Sequence, residues 1–367
     1  MKSKLILLAV LILLSQIALP SGFQKGETRN KPKHPKNIIL MIGDGMGTAQ
    51  LYAGITALRD NTNIERCPVS GFVKTLSASN YITDSAAGAT AYAIGCKTTN
   101  GFLSETPDSI PKPTILEMAE KKGLATGLVA TSAITHATPA AFIAHVSSRG
   151  SYEQIAAQFL NTDIDVFIGG GWKYFTKRAD GRNLADSLLK HNYVIARSLE
   201  EVEKASGPKL AGLLSDEHMP RYSEGRGDML PLSTEKAINI LSGNKKGFFM
   251  MVEGSQIDWG GHANDLNYIV EEVVDFDKAI GKALDFAAKD GETLVIITAD
   301  HETGGMAITG GDMSLGKVEA KFTTGDHSAV MVPLFAFGPG SERFSGIQDN
   351  TDVFKKCVEL LQLSDGK

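Results

Sequence analysis

"KNIILMIGDG", residues 36–45, starts as an apolar run and ends on an aspartate between two glycines. Ile38–Ile42 shows no polar alternation, so the run suits a strand buried on both faces of a parallel sheet. The same pattern recurs along the chain. "GLATGLVATSAITHATPA" (123–140) runs into Thr135, His136 and Thr138, and "TDIDVFIGGG" (162–171) ends in three glycines. "KGFFMMVEG" (246–254) runs into Glu253, and "ETLVIITADHE" (292–302) into Asp300 and His301. "VMVPLFAFGPG" (330–340) ends in Gly and Pro. Segments with helical spacing lie between these runs; the longest, 264–291, places apolar residues at 266, 269, 270, 273, 274, 280 and 284 and stops at Gly291. The alternation predicts an α/β fold: a doubly wound, mostly parallel central sheet with helices on both faces. In such a sheet ligands bind beyond the carboxyl ends of the strands, where the polar clusters fall.

Composition sets the bounds. The 367 residues carry 43% hydrophobic and 22% charged side chains, which suits a packed globular core. The formal net charge is −5, with no basic run of the kind that binds nucleic acid. "MKSKLILLAVLILLSQIALPSG" (1–22) reads as a signal peptide, too short for a comfortable membrane span. Residues 23–36 read as a polar linker, and 37–367 as a single domain. The protein is therefore expected to be exported, periplasmic or secreted, with no stable membrane span in its mature form. The absence of an N-x-[ST] sequon favours a bacterial exported protein over a glycosylated eukaryotic one. Three cysteines, Cys67, Cys96 and Cys357, allow at most one internal bridge, so this is no disulfide scaffold.

One carboxylate at a strand end means little. Three strands that deliver Asp44, Glu253 and Asp300 to one edge gather charge that needs protons or cations. "IDWGGHAND" (257–265) adds Asp258 and His262, and "TTGDHSAV" (323–330) adds His327. His and Asp suit zinc, whereas oxygen-rich sets with water suit magnesium. Asp258, His262 and His327 form one possible zinc set; Asp44, Asp300 and His301 form another. Glu253 with a hydroxyl such as Thr138 and a shared Asp44 oxygen forms a possible magnesium set.

"YITDSAAGATAYAIG" (81–95) places Ser85 behind Asp84 at the start of a small-residue run. Its ordinary reading is a capped helix start. Beside the cation sets a second reading gains weight: Ser85 is an oxygen nucleophile at a helix N-terminus, where the dipole favours an anion. Two metals roughly 4 Å apart can clamp the attacking and leaving oxygens of a phosphoryl displacement. Arg149, in "AHVSSRGSY" (144–152), is the candidate guanidinium, since its planar fork matches two phosphate oxygens.

The segments "GDGMG", "TDSAAGATAYAIG", "HATPAAFIAHVSSR", "FIGGGWKYF", "VEGSQIDWGGHAND", "TADHETGG" and "GDHSAVMVP", in this order across about residues 37–340, resemble the alkaline phosphatase family. That resemblance implies hydrolysis of phosphate monoesters through a phosphoserine on Ser85, with two zinc ions and one magnesium ion. It implies that Asp44 bridges the magnesium and one zinc, which Asp300 and His301 complete. Asp258, His262 and His327 hold the other zinc, and Thr138 and Glu253 bind magnesium. Arg149 holds the phosphate and Asp84 orients Arg149. A homodimer is implied as well. His136 stands where some bacterial members carry Asp, and Trp259 where some carry Lys, so both are expected among the groups near magnesium and phosphate, with His136 reaching the ion through its water shell. Only 25 residues separate His301 from His327. Many relatives insert a crown domain there, so this chain resembles a minimal bacterial form.

Two alternatives belong beside this reading. Phosphodiesterases and sulfatases share the scaffold but present Thr or a modified Cys as nucleophile. A non-catalytic exported phosphate or metal binder would need the ligands but not Ser85. His34, His145, His191 and His218 are expected to be structural or surface residues, and Gly169–Gly171 a tight turn rather than a phosphate cradle, since no GK[ST] follows.

Overall fold

The computed structural model describes residues 34–364; the signal peptide and most of the linker lie outside them. Fourteen strands are present among the described residues. In chain order they are β1 (Asn37–Gly43), β2 (Val69–Lys74), β3 (Ala125–Ala133), β4 (Val166–Gly170), β5 (Val194–Ala196), β6 (Leu210–Leu213) and β7 (Phe248–Gly254). They continue as β8 (Thr293–Thr298), β9 (Glu302–Thr303), β10 (Ala307–Asp312), β11 (Lys317–Lys321), β12 (His327–Ser328), β13 (Val332–Phe337) and β14 (Gly346–Asp349). Ten of them form one sheet in the order β14-β2-β13-β8-β1-β7-β3-β4-β6-β5. β1, β3, β4, β7 and β8 are buried along their whole length, as unbroken apolar runs require.

One strand departs from the expected direction. β13, the run at 330–340, pairs antiparallel with both β8 and β2. Its apolar composition reports burial between neighbours, which is the same for either direction. The three glycines also divide: Gly169 and Gly170 belong to β4, and only Gly171 turns the chain, with φ 102.

Strand order places the chemistry. β8, β1, β7 and β3 are consecutive and parallel, with Ile42 beside both Glu253 and Thr298. Asp300 and His301, Asp44, Glu253, and the Thr135–Thr138 turn therefore emerge side by side at one edge. The turn after β1 is tight: Gly45 has φ 71, and a Cβ there would stand 2.7 Å from the Asp258 Cα. Gly45 thus lets the Asp258 segment close over the end of β1. The interval between His301 and His327 holds only short strands and the β10–β11 hairpin.

The helix Leu266–Asp290 starts at Asp265, whose carboxylate accepts from the Asn267 and Tyr268 amides, and stops at Gly291 with φ 75. It also anchors the loop after β6. Arg226, whose side chain is fully buried, donates to Glu272 and to Asp275 (2.9 Å) on this helix. Arg221 stacks on Tyr268 at 3.9 Å and donates to Glu271. Arg226→Met should destabilise the fold by about 3–5 kcal/mol, because two buried carboxylates lose their counter-charge. Even beside Arg226, burial pushes the Asp275 carboxyl up to about 6 from 3.8. A folded acid with a raised pKa binds protons that the unfolded chain does not, so its contribution to stability falls as pH rises across that window. The variant's loss, read from denaturant midpoints, should therefore be larger at pH 7.5 than at pH 5.

Candidate active site

Asp84 caps the helix Ser85–Ile94: its Oδ1 accepts from the Ala87 amide at 3.0 Å. Its Oδ2 accepts from the Gly101 amide and from Arg149 Nη1, both at 3.0 Å. One carboxylate thus sets the start of the helix and holds the guanidinium beside it. Ser85 is 1% exposed, and its Oγ lies 3.2 Å from His301 Nε2. The small residues that follow serve packing first. All ten residues of the helix are buried, and a Cβ at Gly88 would stand 3.0 Å from the Asp300 carbonyl oxygen.

Side-chain oxygens and nitrogens converge at this edge without partners. Both Asp44 carboxylate oxygens, Glu253 Oε1, Asp300 Oδ2, Thr138 Oγ1 and His136 Nδ1 are buried and make no hydrogen bond. Leaving so many buried polar atoms unpaired is costly, unless cations satisfy them. His301 Nε2 lies 3.4 Å from both Asp44 Oδ1 and Asp300 Oδ2. Burial and then the neighbouring carboxylates Asp300, Asp258 and Glu253 push the Asp44 carboxyl well up. Burial also lifts Glu253 to about 7 and Asp300 to about 6. Burial, and then the His327 imidazole, lowers His301, and burial with Arg149 and His218 lowers His136, so both rings are neutral.

The outer histidines give a sharper sign of a cation. His262 Nδ1 lies 2.7 Å from the Gly325 carbonyl, and His327 Nδ1 lies 2.9 Å from the Thr83 carbonyl. A carbonyl only accepts, so each Nδ1 carries the proton and each Nε2 presents a lone pair. These two Nε2 atoms stand 3.1 Å apart, with Asp258 Oδ1 at 3.4 and 3.5 Å. Two lone pairs and a carboxylate that face one another repel unless a positive charge sits among them.

Three groups of such atoms lie within 4.8 Å of one another: Asp258, His262 and His327; Asp44, Asp258 and His301; and Asp44, His136 and Glu253. The structure therefore brings together Ser85, Asp44, Thr138, Glu253, Asp258, His262, Asp300, His301 and His327, with Arg149 and Asp84 alongside. His136 is placed closer than expected. His136 ranks with Asp44 and Glu253 as a possible direct ligand, not only as a holder of water. Asp258 is shared between two groups, which the sequence does not reveal.

Other residues at the site escape the sequence reading. Thr303 Oγ1 donates to Asp258 Oδ1 and lies 3.2 Å from His301 Nδ1, so it orients two of the clustered side chains. Ser255 Oγ donates to Glu253 Oε2 at 2.6 Å. His218 is neither a mere surface nor a remote structural residue. Its ring meets His136 and Trp259 edge-on, with centroids 5.4 and 4.9 Å away. Nothing in its local sequence, "DEHMP", signals this, since the loop that carries it is anchored from the distant Leu266–Asp290 helix. His145 is structural, bonded to Glu117 and the Ser104 carbonyl, whereas His34 and His191 are exposed.

The alkaline phosphatase family profile matches residues 35–321. Alkaline phosphatase 3 of Bacillus subtilis is 33% identical over 98% of this chain and 97% of its own length. The chain belongs to the alkaline phosphatase family. The Escherichia coli alkaline phosphatase is 35% identical, covering 90% of this chain and 87% of its own. The alkaline phosphatase of the Antarctic bacterium TAB5 superposes with a TM-score of 0.86 at 42% identity, over 90% of this chain and 99% of that one. A TAB5 variant with a histidine replaced by Asp has Mg bound in its M3 site. The chain is accordingly a phosphoric monoester hydrolase with a metal site. Among the described residues no helix is long and apolar enough to cross a membrane. All three cysteines are free.

Proposed function

We propose that the chain hydrolyses phosphate monoesters in two steps through a phosphoserine on Ser85. The observation that carries this reading is the position of Ser85: the first residue of a helix, 3.2 Å from His301 Nε2 and next to the carboxylate that holds Arg149. Asp258, His262 and His327 would hold one zinc, and Asp44, Asp300 and His301 the other. Asp44, Glu253 and Thr138, with His136 beside them, would hold magnesium. When bound, these ions would neutralise the carboxylates, make the Ser85 hydroxyl easier to ionise and take up charge on the leaving oxygen.

The chain's own groups do the rest. Arg149, fixed by Asp84, offers its free N–H groups to two phosphate oxygens. The free backbone N–H groups at the start of the Ser85–Ile94 helix add positive potential at the same place. Ser85 Oγ attacks phosphorus as the ester oxygen leaves with the bond electrons and takes up a proton. Water then attacks the phosphoserine, the P–Oγ bond breaks, and Ser85 regains its proton while inorganic phosphate departs. His262 and His327 stay oriented throughout by their bonds to the Gly325 and Thr83 carbonyls.

A single domain, residues 37–367, would carry this activity, exported by the segment 1–22 to the periplasm or beyond, and paired as a homodimer. Purified protein assayed with an aryl phosphate, an aryl diester and an aryl sulfate, alongside metal analysis, tests the reading. Monoester turnover with zinc and magnesium in the protein is expected; preference for the diester or the sulfate would refute it.

His136 yields a separate expectation. An aspartate there offers magnesium a hard oxygen and a charge where an imidazole offers neither. His136→Asp should lower the magnesium concentration for half-activation by about tenfold or more. Equal midpoints in wild type and variant would remove His136 from the site.

A further inference from the structure

His136 sits between two demands that its neutral ring cannot meet at once. Its Nε2 lies 3.3 Å from Arg149 Nη2. A guanidinium has only donors, so Nε2 must be the acceptor and Nδ1 must carry the ring's single proton. That Nδ1 is buried and unpartnered, and His136 is a member of the Asp44–His136–Glu253 group; with Nε2 turned to Arg149, Nδ1 is the ring nitrogen left for a cation. A cation bound through Nδ1 would need the lone pair there, and the proton would move to Nε2. Nε2–H would then face Arg149 N–H, donor against donor.

Ring rotation offers no escape. His218 and Trp259 meet the His136 ring edge-on, at 85° and 89° with centroids 5.4 and 6.1 Å away. His218 is fixed in turn: its Nδ1 accepts from the Ala133 amide at 3.1 Å, and its ring meets Trp259 at 4.9 Å. The three rings brace one another, so the position of one proton is the remaining freedom.

We propose that the His136 tautomer couples the third cation to the phosphate-binding arginine: a cation held through His136 Nδ1 releases Arg149 from Nε2, and the released N–H is then offered to the phosphate. A cation held by oxygens alone leaves the Arg149–His136 bond intact. Cations of equal charge should therefore differ in their effect on phosphate. Zinc, which accepts imidazole, strengthens phosphate binding beyond the shared Coulomb attraction; magnesium, which prefers oxygen, does not. Because linkage is reciprocal, phosphate strengthens third-site zinc by the same factor. The ring stays neutral in both states. His136 acts here as a positioning residue, and the inference rests on the three-cation reading above.

The test measures binding, not turnover. Protein with the first two sites filled with zinc is loaded at the third with zinc or with magnesium, and inorganic phosphate is titrated calorimetrically. Wild type should bind phosphate about tenfold more tightly with zinc than with magnesium, the scale of one hydrogen bond to a charged group. Arg149→Met binds phosphate more weakly with either ion, and the zinc–magnesium ratio falls toward one. Nitrogen-15 spectra of labelled histidines should show the His136 proton on Nδ1 with magnesium and on Nε2 with zinc. Equal phosphate affinity with both ions in wild type would overturn the coupling alone, as would a zinc-specific gain that survives in Arg149→Met. Failure to take up any third cation would overturn both the coupling and the three-cation reading.

Discussion

Ser85→Ala is expected to lower kcat for an aryl phosphate by roughly a thousandfold or more without unfolding the protein. Ser85 is not the helix cap; Asp84 is, and its bonds to the Ala87 and Gly101 amides survive the change. Alanine suits the first turn, and the site is already lined with small residues. The variant loses the hydroxyl oxygen beside His301 Nε2 that would form the covalent bond to phosphorus. Removing a serine nucleophile elsewhere costs about 10⁶-fold. A smaller loss is expected here, because Arg149 and the cations would still assist an attacking water. The decrease should appear in kcat, with inorganic phosphate still bound. Wild-type kcat in the alanine variant would rule Ser85 out.

Removal of the metal should have the second large effect. Chelation is expected to abolish turnover, and zinc with magnesium to restore it. The melting temperature should also fall. An ion that binds only the folded chain at a thousand times its Kd contributes about 4 kcal/mol per site, so loss of two sites should lower Tm by about 10 °C or more. The pH dependence of the stripped protein has a definite sign. Burial lifts Glu253 from 4.5 to about 7 and Asp300 from 3.8 to about 6. Both folded-state values exceed the unfolded ones, so the folded state holds protons that the unfolded chain releases. Stability of the stripped protein should therefore fall as pH rises from about 4 to 7. Metal-loaded protein should show the opposite trend in this range, since protons compete with cations for the same oxygens. A stripped protein that grows more stable between pH 5 and 7 would contradict this account of the carboxylates.

Much of the site was legible because strand ends carry it. Asp44, Glu253 and Asp300 each follow an unbroken apolar run, and burial of such runs in one parallel sheet brings their ends together. The helix Leu266–Asp290 was legible from its spacing and from Gly291. The direction of β13 was not, because apolar composition reports burial and not polarity. The sharing of Asp258 between two groups depends on how closely Gly45 lets two turns approach, a distance that no local pattern encodes. His218 was missed for a similar reason. Arg226 and Arg221 pin its loop from sequence-distant carboxylates, and only that anchorage brings it to His136 and Trp259. Thr303 lay in plain view in "TADHETGG", yet its bond to Asp258 joins turns 45 residues apart.

The covalent intermediate is the centre of the account, and it can be trapped. Wild-type protein incubated with an aryl phosphate, quenched at mildly acidic pH and digested should yield one phosphorylated peptide, modified on Ser85. The same treatment of Ser85→Ala should yield none. Phosphate on any other residue, or full turnover with no phosphopeptide under conditions that preserve phosphoserine, would contradict the mechanism.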